Sequence, residues 1–362
     1  MTFSNVSFGD VTDNFDKKRI PLSAAQREKR QGKYRYYGAQ GVIDWVDDYI
    51  FDGTYLLIAE DGENLKSKKS NIAQLASGKF WVNNHAHVIQ CKKGYDIRYL
   101  CYLINLTDLS GYITGSAQPK LSQSSMNAIV LPMPKFEIQK EVADFIEKFD
   151  KKIQINEKVN DNLQQQVSAI YQAWFEEFLL SGGSCPSTWK YGILADIANI
   201  TSGKRPSVKF FEMTENAVIP IVGAASIMGY TSESNHTDKI LVTGRVGTHG
   251  VIQRFSSPCW TSDNTLVITS DLYEYTYQLL KRIDYHSMNR GSTQPLITQS
   301  DMNKVPILIP DSETLNNFEL LAGELMEQYQ SNLLENRKLA ELRDTLLPKL
   351  MFGEIDVSNL QL

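Results

Sequence analysis

Apolar side chains recur at helical spacing in two long stretches of the chain. The first carries Val142, Ile146, Phe149 and Ile153, then Leu163, Val167, Ile170 and Trp174. The second carries Phe318, Ala322, Leu325 and Tyr329, then Leu339, Leu346 and Leu350. Steps of three and four residues place these on one stripe of a helix, in the manner of a coiled-coil seam. The seam is broken by asparagines at matching places, Asn156 and Asn160 in the first stretch and Asn332 and Asn336 in the second. Arg343 is a further polar break with no match in the first. Elsewhere, residues 55–59, 86–91, 239–243, 250–255 and 265–269 are rich in Val, Ile and Thr and bounded by Gly, Asp and Ser, the pattern of strands. Residues 97–104 read as a helix, and the Gly-Gly and Pro punctuation of residues 179–190 reads as a boundary.

The two helical stretches belong to a repeat. "GSAQPKLSQSSMNAIVLPMP" (residues 115–134) returns without a gap as "GSTQPLITQSDMNKVPILIP" (residues 291–310). Residues 156–175 then lie over residues 332–351 in the same register. Upstream the likeness weakens and the spacing drifts. "KFWVNNHAHVIQ" (79–90) resembles "PCWTSDNTLVIT" (258–269), "YYGAQG" (36–41) resembles "IVGAAS" (221–226), and Lys18-Arg19 match Lys204-Arg205. Drifting spacing means insertions and deletions in loops. Each copy is therefore a variable mixed domain followed by a similar long helix. Residues 135–142 and 311–318, where the helices should begin, share little sequence.

Composition narrows the function classes. A chain of 362 residues has room for about two or three domains. Its net charge is −5, so any binding to a polyanion must come from local patches. The four cysteines lack C-x-x-C spacing, which points away from a zinc site or a disulfide framework. No secretory pattern opens the sequence and no long uninterrupted apolar run occurs, so a cytoplasmic protein without a membrane segment is expected. There is no P-loop, no N-P-P-[FYW] motif, no G-x-G cofactor loop and no lysine partner for the acidic "PDSET" at residues 310–314. His85 and His87 alternate on a strand with no third ligand in view, and no metal site is expected. The chain reads as a non-catalytic binder.

The two copies of the Gly-Ser-x-Gln-Pro motif, each followed by a long helix, resemble the DNA-specificity (S) subunits of type I restriction–modification systems. So do residues 36–62, "YYGAQGVIDWVDDYIFDGTYLLIAEDG", and residues 336–355, "NRKLAELRDTLLPKLMFGEI". The resemblance covers essentially the whole chain. It implies an α+β protein: two mixed α/β target-recognition domains separated by two long antiparallel coiled-coil-like helices, related by a pseudo-twofold internal repeat. On that pattern residues 1–134 and 185–310 are the recognition domains, 135–180 and 311–352 the spacer helices, and 353–362 a tail. The resemblance implies a sequence-specific DNA-recognition subunit that reads a bipartite, asymmetric site on double-stranded DNA. It also implies docking of two methyltransferase subunits and of restriction subunits. No cofactor would be bound by this chain; the partner methyltransferase would use S-adenosylmethionine. In an antiparallel pair, Asn160 would face Asn332 and Asn156 would face Asn336, fixing register.

DNA contact requires cations for phosphates and polar side chains for base edges. Between residues 16 and 35 the bases Lys17, Lys18, Arg19, Arg27, Lys29, Arg30, Lys33 and Arg35 face only Asp16 and Glu28. Tyr36, Tyr37 and Gln40 follow directly, and Lys66 and Lys68 form a second cluster. In the second copy the candidates are Lys204, Arg205, Lys209, Arg245, Thr248 and Arg254. Gln118 and Gln294, in the repeated motif, complete the set. Three other readings remain open on the sequence: the same subunit in a type II enzyme with a split site, a coiled-coil scaffold that binds only proteins, and a stand-alone enzyme.

Overall fold

The apolar run from Tyr55 to Ala59 forms the second half of a strand, Phe51–Ala59, and is buried on both faces there. The structure is a computed structural model and describes residues 2–67, 70–115, 118–288 and 296–360. The chain divides into two compact units: Met1–Ile155 with Glu335–Leu362, and Asn156–Leu334. Each long helix contributes to both.

In the first unit a six-stranded sheet runs in the order Thr12–Asn14, Ala86–Cys91, Phe51–Ala59, Ala73–Val82, Gln31–Gly38, Gly41–Val46. All neighbours are antiparallel except Ala73–Val82 with Gln31–Gly38. One face packs Tyr37, Phe51, Tyr55, Leu57 and Phe80 together. The other packs Leu56, Ile58 and Ile89 against the helix Ile97–Leu106 and against Val142, Ile146 and Phe149 of the first long helix, Phe136–Tyr171. Asp96 caps the shorter helix by accepting from the backbone N–H groups of Arg98 and Tyr99. Arg98 then reaches Asp144 at 2.7 Å and Glu147 at 2.8 Å, seating the sheet domain on the long helix. The second long helix, Ser312–Met351, adds Leu350 and Met351 to the same core, where the Tyr99 hydroxyl donates to the Met351 carbonyl.

The second unit contains a four-stranded sheet ordered Asn199–Ser202, Thr265–Thr269, Ile240–Gly244, Gln253–Phe255, and a three-stranded one ordered Ile227–Thr231, Ile219–Val222, Trp260–Thr261. The expected strand at 250–255 is shorter than the sequence pattern. Gly250 sits in the left-handed region at φ 78°, so extended pairing starts only at Gln253. Tyr171, Phe175, Trp189, Tyr275 and Phe318 form an aromatic cluster joining the long helices to the helix Tyr273–Leu280. Glu319 caps that helix, accepting from the N–H groups of Glu274 at 3.0 Å and Tyr275 at 2.7 Å. The first long helix leaves α geometry earlier than its expected end at 180. A π-helical turn occupies Gln172–Glu176, and Phe178 follows at φ 54°.

The repeated motif takes the same form in each unit. A short helix capped by a hydroxyl, Gln123–Asn127 on Ser122 and Gln299–Asn303 on Thr298, leads into a strand. That strand pairs antiparallel with the opening strand of its unit: Val130–Met133 with Ser4–Ser7, and Pro306–Ile309 with Lys190–Ile193. A long helix follows at once, beginning at Phe136 and at Ser312 despite the unlike sequences there.

Within each unit the contacts between the long helices pair rising numbers with falling ones, so the segments run antiparallel. In the first unit Arg343 meets Asp150 at 2.6 Å and Asn336 donates to the Ile153 carbonyl at 3.5 Å. In the second, the Asn332 amide donates to the Asn160 side-chain oxygen at 2.8 Å, and further along the Tyr171 ring lies 5.9 Å from that of Phe318. Asn156, Asn160 and Asn332 are buried. Replacing only Asn160 by Leu strands the Asn332 amide, and should lower stability to chemical denaturation by about 1–3 kcal/mol. The Asn160→Leu, Asn332→Leu double variant should recover most of that loss, because neither unpaired amide remains. Equal midpoints for the single and double variants would show that the pair is not coupled.

Candidate nucleic-acid interface

The basic segment of the first unit folds into three short pieces. A 3-10 turn, Asp16–Lys18, precedes a helix Ala24–Glu28, and the strand Gln31–Gly38 closes it. Ser23 caps the helix in a box with Gln26, which fixes the chain between the charged residues. Lys17, Lys18 and Lys33 are exposed. Lys18 lies over the Phe15 ring at 5.2 Å and Lys33 over Tyr34 at 5.3 Å, so each cation has an aromatic support. Gln40 is exposed at the turn between two strands, Gln118 is exposed in the repeated motif, and Lys66 is exposed on Asn64–Ser67.

Other candidates of this unit serve the fold instead. Arg19 is pinned to Glu60 at 2.8 Å and to the Ala86 carbonyl at 2.8 Å, with Asp16 at 3.5 Å. Tyr36 is fully buried, and its hydroxyl accepts from the Leu22 N–H. Tyr37 is buried in the sheet core. Arg35 is partly committed, donating to the Ser77 carbonyl at 2.6 Å. Arg27 and Arg30, which inflate the sequence cluster, meet Asp44 and Asp47. Lys68 lies outside the described residues.

In the second unit Lys204 and Arg205 are exposed, and Thr248 is exposed on the glycine-rich loop after Ile240–Gly244. Lys209 sits 4.8 Å from the Phe211 ring centre, and Arg245 is half-buried. Arg254 does not belong to a DNA surface. Both terminal guanidinium nitrogens engage Glu274, at 2.5 and 2.6 Å, between the rings of Tyr273 and Tyr277. A buried, two-point ion pair of this kind is a fold element. Gln294 lies outside the described residues. Sequence reasoning missed Lys79, which is stacked 4.5 Å from Tyr49, and the exposed Trp45 on the edge strand Gly41–Val46. Lys79 is an isolated cation and Trp45 lies among Asp44, Asp47 and Asp48, so neither belongs to the basic runs the sequence search followed.

One cluster has metal-like composition. Ligand atoms of Asp16, Glu60 and His87 lie within 4.8 Å of one another. Their lone pairs are already answered by protein donors. Arg19 and Lys120 hold Glu60, and Asp16 faces His87 at 2.6 Å and the Val88 N–H at 2.8 Å. His87 also meets the Leu121 carbonyl at 2.8 Å, so both ring nitrogens face acceptors. The cluster is an ion-pair clamp joining the basic turn to the sheet. Burial alone would raise the Asp16 carboxyl; the hydrogen bonds from His87 and Asn14 outweigh it and hold the group below the ordinary carboxylate value.

Comparison with known proteins places this geometry in context. Residues 2–165 and 186–343 each match the model of the type I restriction modification DNA specificity domain. A putative type I restriction enzyme specificity subunit of Haemophilus influenzae is 30% identical over 138 residues, 38% of this chain and 35% of that protein. The MjaIX specificity subunit of Methanocaldococcus jannaschii is 28% identical over 349 residues, 84% of this chain and 80% of that one. The crystal structure of a type I restriction–modification S subunit from M. genitalium superposes with a TM-score of 0.64 over 97% of this chain and 96% of that one. At 15% identity that likeness is one of fold. No helix among the described residues is long and apolar enough to cross a membrane.

The clamp makes a pH-dependent contribution to stability. A carboxylate depressed by folding stabilises fully above its unfolded value and loses that effect as pH falls through the folded one. Asp16→Asn removes a charged acceptor from His87 and the Val88 N–H and should lower stability at neutral pH by about 1–3 kcal/mol. The variant should also lose less stability than the parent as pH drops below about 4. Melting curves across that interval check both, and parallel curves for the two proteins would remove Asp16 from the account.

Proposed function

Because the chain belongs to the type I restriction–modification DNA-specificity family, we propose that it is the subunit that chooses the DNA sequence on which a type I complex acts. The observation that carries the reading is the doubled family match, one copy for each variable domain, on a chain whose two units repeat one capped helix–strand–long helix motif. Each unit reads one half of a split site on double-stranded DNA. The unlike sequences of the two domains make the half-sites unlike, so the whole site is asymmetric.

Lys17, Lys18 and Lys33 in one unit and Lys204 and Arg205 in the other are exposed cations that meet phosphates, which position the protein without reading sequence. Gln40, Gln118 and Thr248 are exposed polar side chains able to address base edges. The two long helices act as an antiparallel, coiled-coil-like spacer related by a pseudo-twofold. That symmetry presents equivalent surfaces to two identical methyltransferase subunits, and restriction subunits join this core. A helix of this kind rises about 1.5 Å per residue, so its length sets the distance between half-sites. The chain supplies no catalysis: S-adenosylmethionine is used by the partner methyltransferase, in the cytoplasm where the DNA lies.

Two outcomes test the reading. The purified chain alone should neither methylate nor cut DNA, and labelled methyl groups should enter DNA only when the methyltransferase and S-adenosylmethionine are added. Exchanging residues 190–283 for the matching piece of a relative should change one half-site of the methylated motif and leave the other intact, as sequencing of methylated DNA would report. Methyl transfer by the isolated chain, or a change in both half-sites, contradicts it.

A further inference from the structure

A tryptophan pins the basic segment in each unit. In the first, the Trp81 indole N–H donates to the Ile20 carbonyl at 2.6 Å. In the second, the Trp260 indole N–H donates to the Lys204 carbonyl at 2.7 Å. Trp81 and Trp260 occupy matching places in the repeat, within residues 79–90 and 258–269. Each indole meets a backbone carbonyl at or beside the Lys-Arg pair, but two residues apart in the repeat register: Ile20, just after Lys18-Arg19, in the first unit and Lys204 itself in the second.

Each pinned segment pushes an apolar side chain outward. Ile20 directly follows Lys18 and Arg19 and is 54% exposed. Phe211 is 84% exposed and lies under the Lys209 ammonium. Its exposure is imposed by the backbone. The neighbouring Phe210 exchanges both backbone hydrogen bonds with Tyr230, at 2.9 and 2.8 Å, while Trp260 holds the other end of the segment.

The surroundings select the occupant. Lysine is depleted at the centre of protein–protein contacts. Glu212 and Glu215 are exposed beside Phe211, as are Val208, Phe210 and Met213, so the cations that could meet phosphates are Lys204, Arg205 and Lys209 on the near side of the ring, with the apolar side chain left to enter a base step. Resting on the reading of the chain as a DNA-specificity subunit, we propose that Ile20 and Phe211 are wedges that unstack one base step in the half-site their unit reads. Trp81 and Trp260 are positioning residues that aim them. Specificity then has a component from the deformability of that step, beyond any hydrogen-bonded base.

The test uses the full chain with its methyltransferase and a duplex carrying the motif the wild-type complex methylates. 2-Aminopurine is placed at successive positions of both half-sites. Apart from the adenine that the methyltransferase itself flips, wild type should raise the fluorescence at one step in each. Phe211→Ala should abolish the rise in the second unit's half-site alone and weaken binding about tenfold or more, with the salt dependence of binding unchanged. Ile20→Ala should do the same in the other half-site. Phe211→Trp should keep the signal, and Trp260→Phe should reduce it while the affinity for methyltransferase stays as in wild type. Unchanged fluorescence and affinity in Phe211→Ala overturn the proposal. So does loss of the methyltransferase from that variant's complex, which makes the face a protein contact. A wild-type complex that binds its motif duplex tightly yet gives no rise at any step also overturns the proposal, whereas a wild-type complex that shows no preference for any duplex in binding overturns the underlying DNA reading.

Discussion

The architecture depends on seating each variable sheet domain on a long helix without letting the domain's sequence dictate the seat. The two units solve this with different charges. In the first, Arg98 of the domain helix reaches Asp144 and Glu147 of the long helix. In the second, Glu319 of the long helix caps the N-terminus of the domain helix, where the unpaired N–H groups favour a carboxylate. Burial in a low-dielectric contact raises the Glu319 carboxyl, and the two N–H donors oppose that. Apolar packing around these contacts is non-directional; the charged contacts add direction.

Much of this was legible in the sequence because it is periodic. The long helices show steps of three and four, and the second half of the central strand, Tyr55–Ala59, is a continuous apolar run, as expected where a strand is covered on both faces. The strand Gln31–Gly38 was not legible. Its sequence, QGKYRYYG, reads as basic and aromatic, and only the pairing with Trp45 and Phe80 shows which side chains turn inward. Tyr273–Leu280 was missed for a similar reason: YEYTYQLL is rich in strand-favouring aromatics, and tertiary packing in the aromatic cluster overrides that preference.

The candidate site was legible as a region and illegible as a set. A charge run in one segment says nothing about carboxylates that fold brings from elsewhere. Arg19 finds Glu60 and Arg254 finds Glu274, both distant in sequence, so two of the strongest candidates are absorbed into the core. The lysines remain outside. That division follows side-chain chemistry: the planar guanidinium makes two-point contacts suited to buried pairing, whereas the strongly hydrated ammonium stays in water.

The border between the units cuts through both long helices, so the first unit is assembled from pieces remote in the chain. Its core includes Leu350 and Met351, and Tyr99 is hydrogen-bonded to the latter. On the ribosome, the sheet of this unit emerges early but waits for its last helical segment until the whole second unit has been made. At about 5–20 residues per second that wait is on the order of ten seconds or more. During it, the apolar face that will receive Leu350 has no partner of its own. The second unit, continuous from Asn156 to Leu334, meets no such delay. The order in which the domains are written is therefore not the order in which they can finish folding.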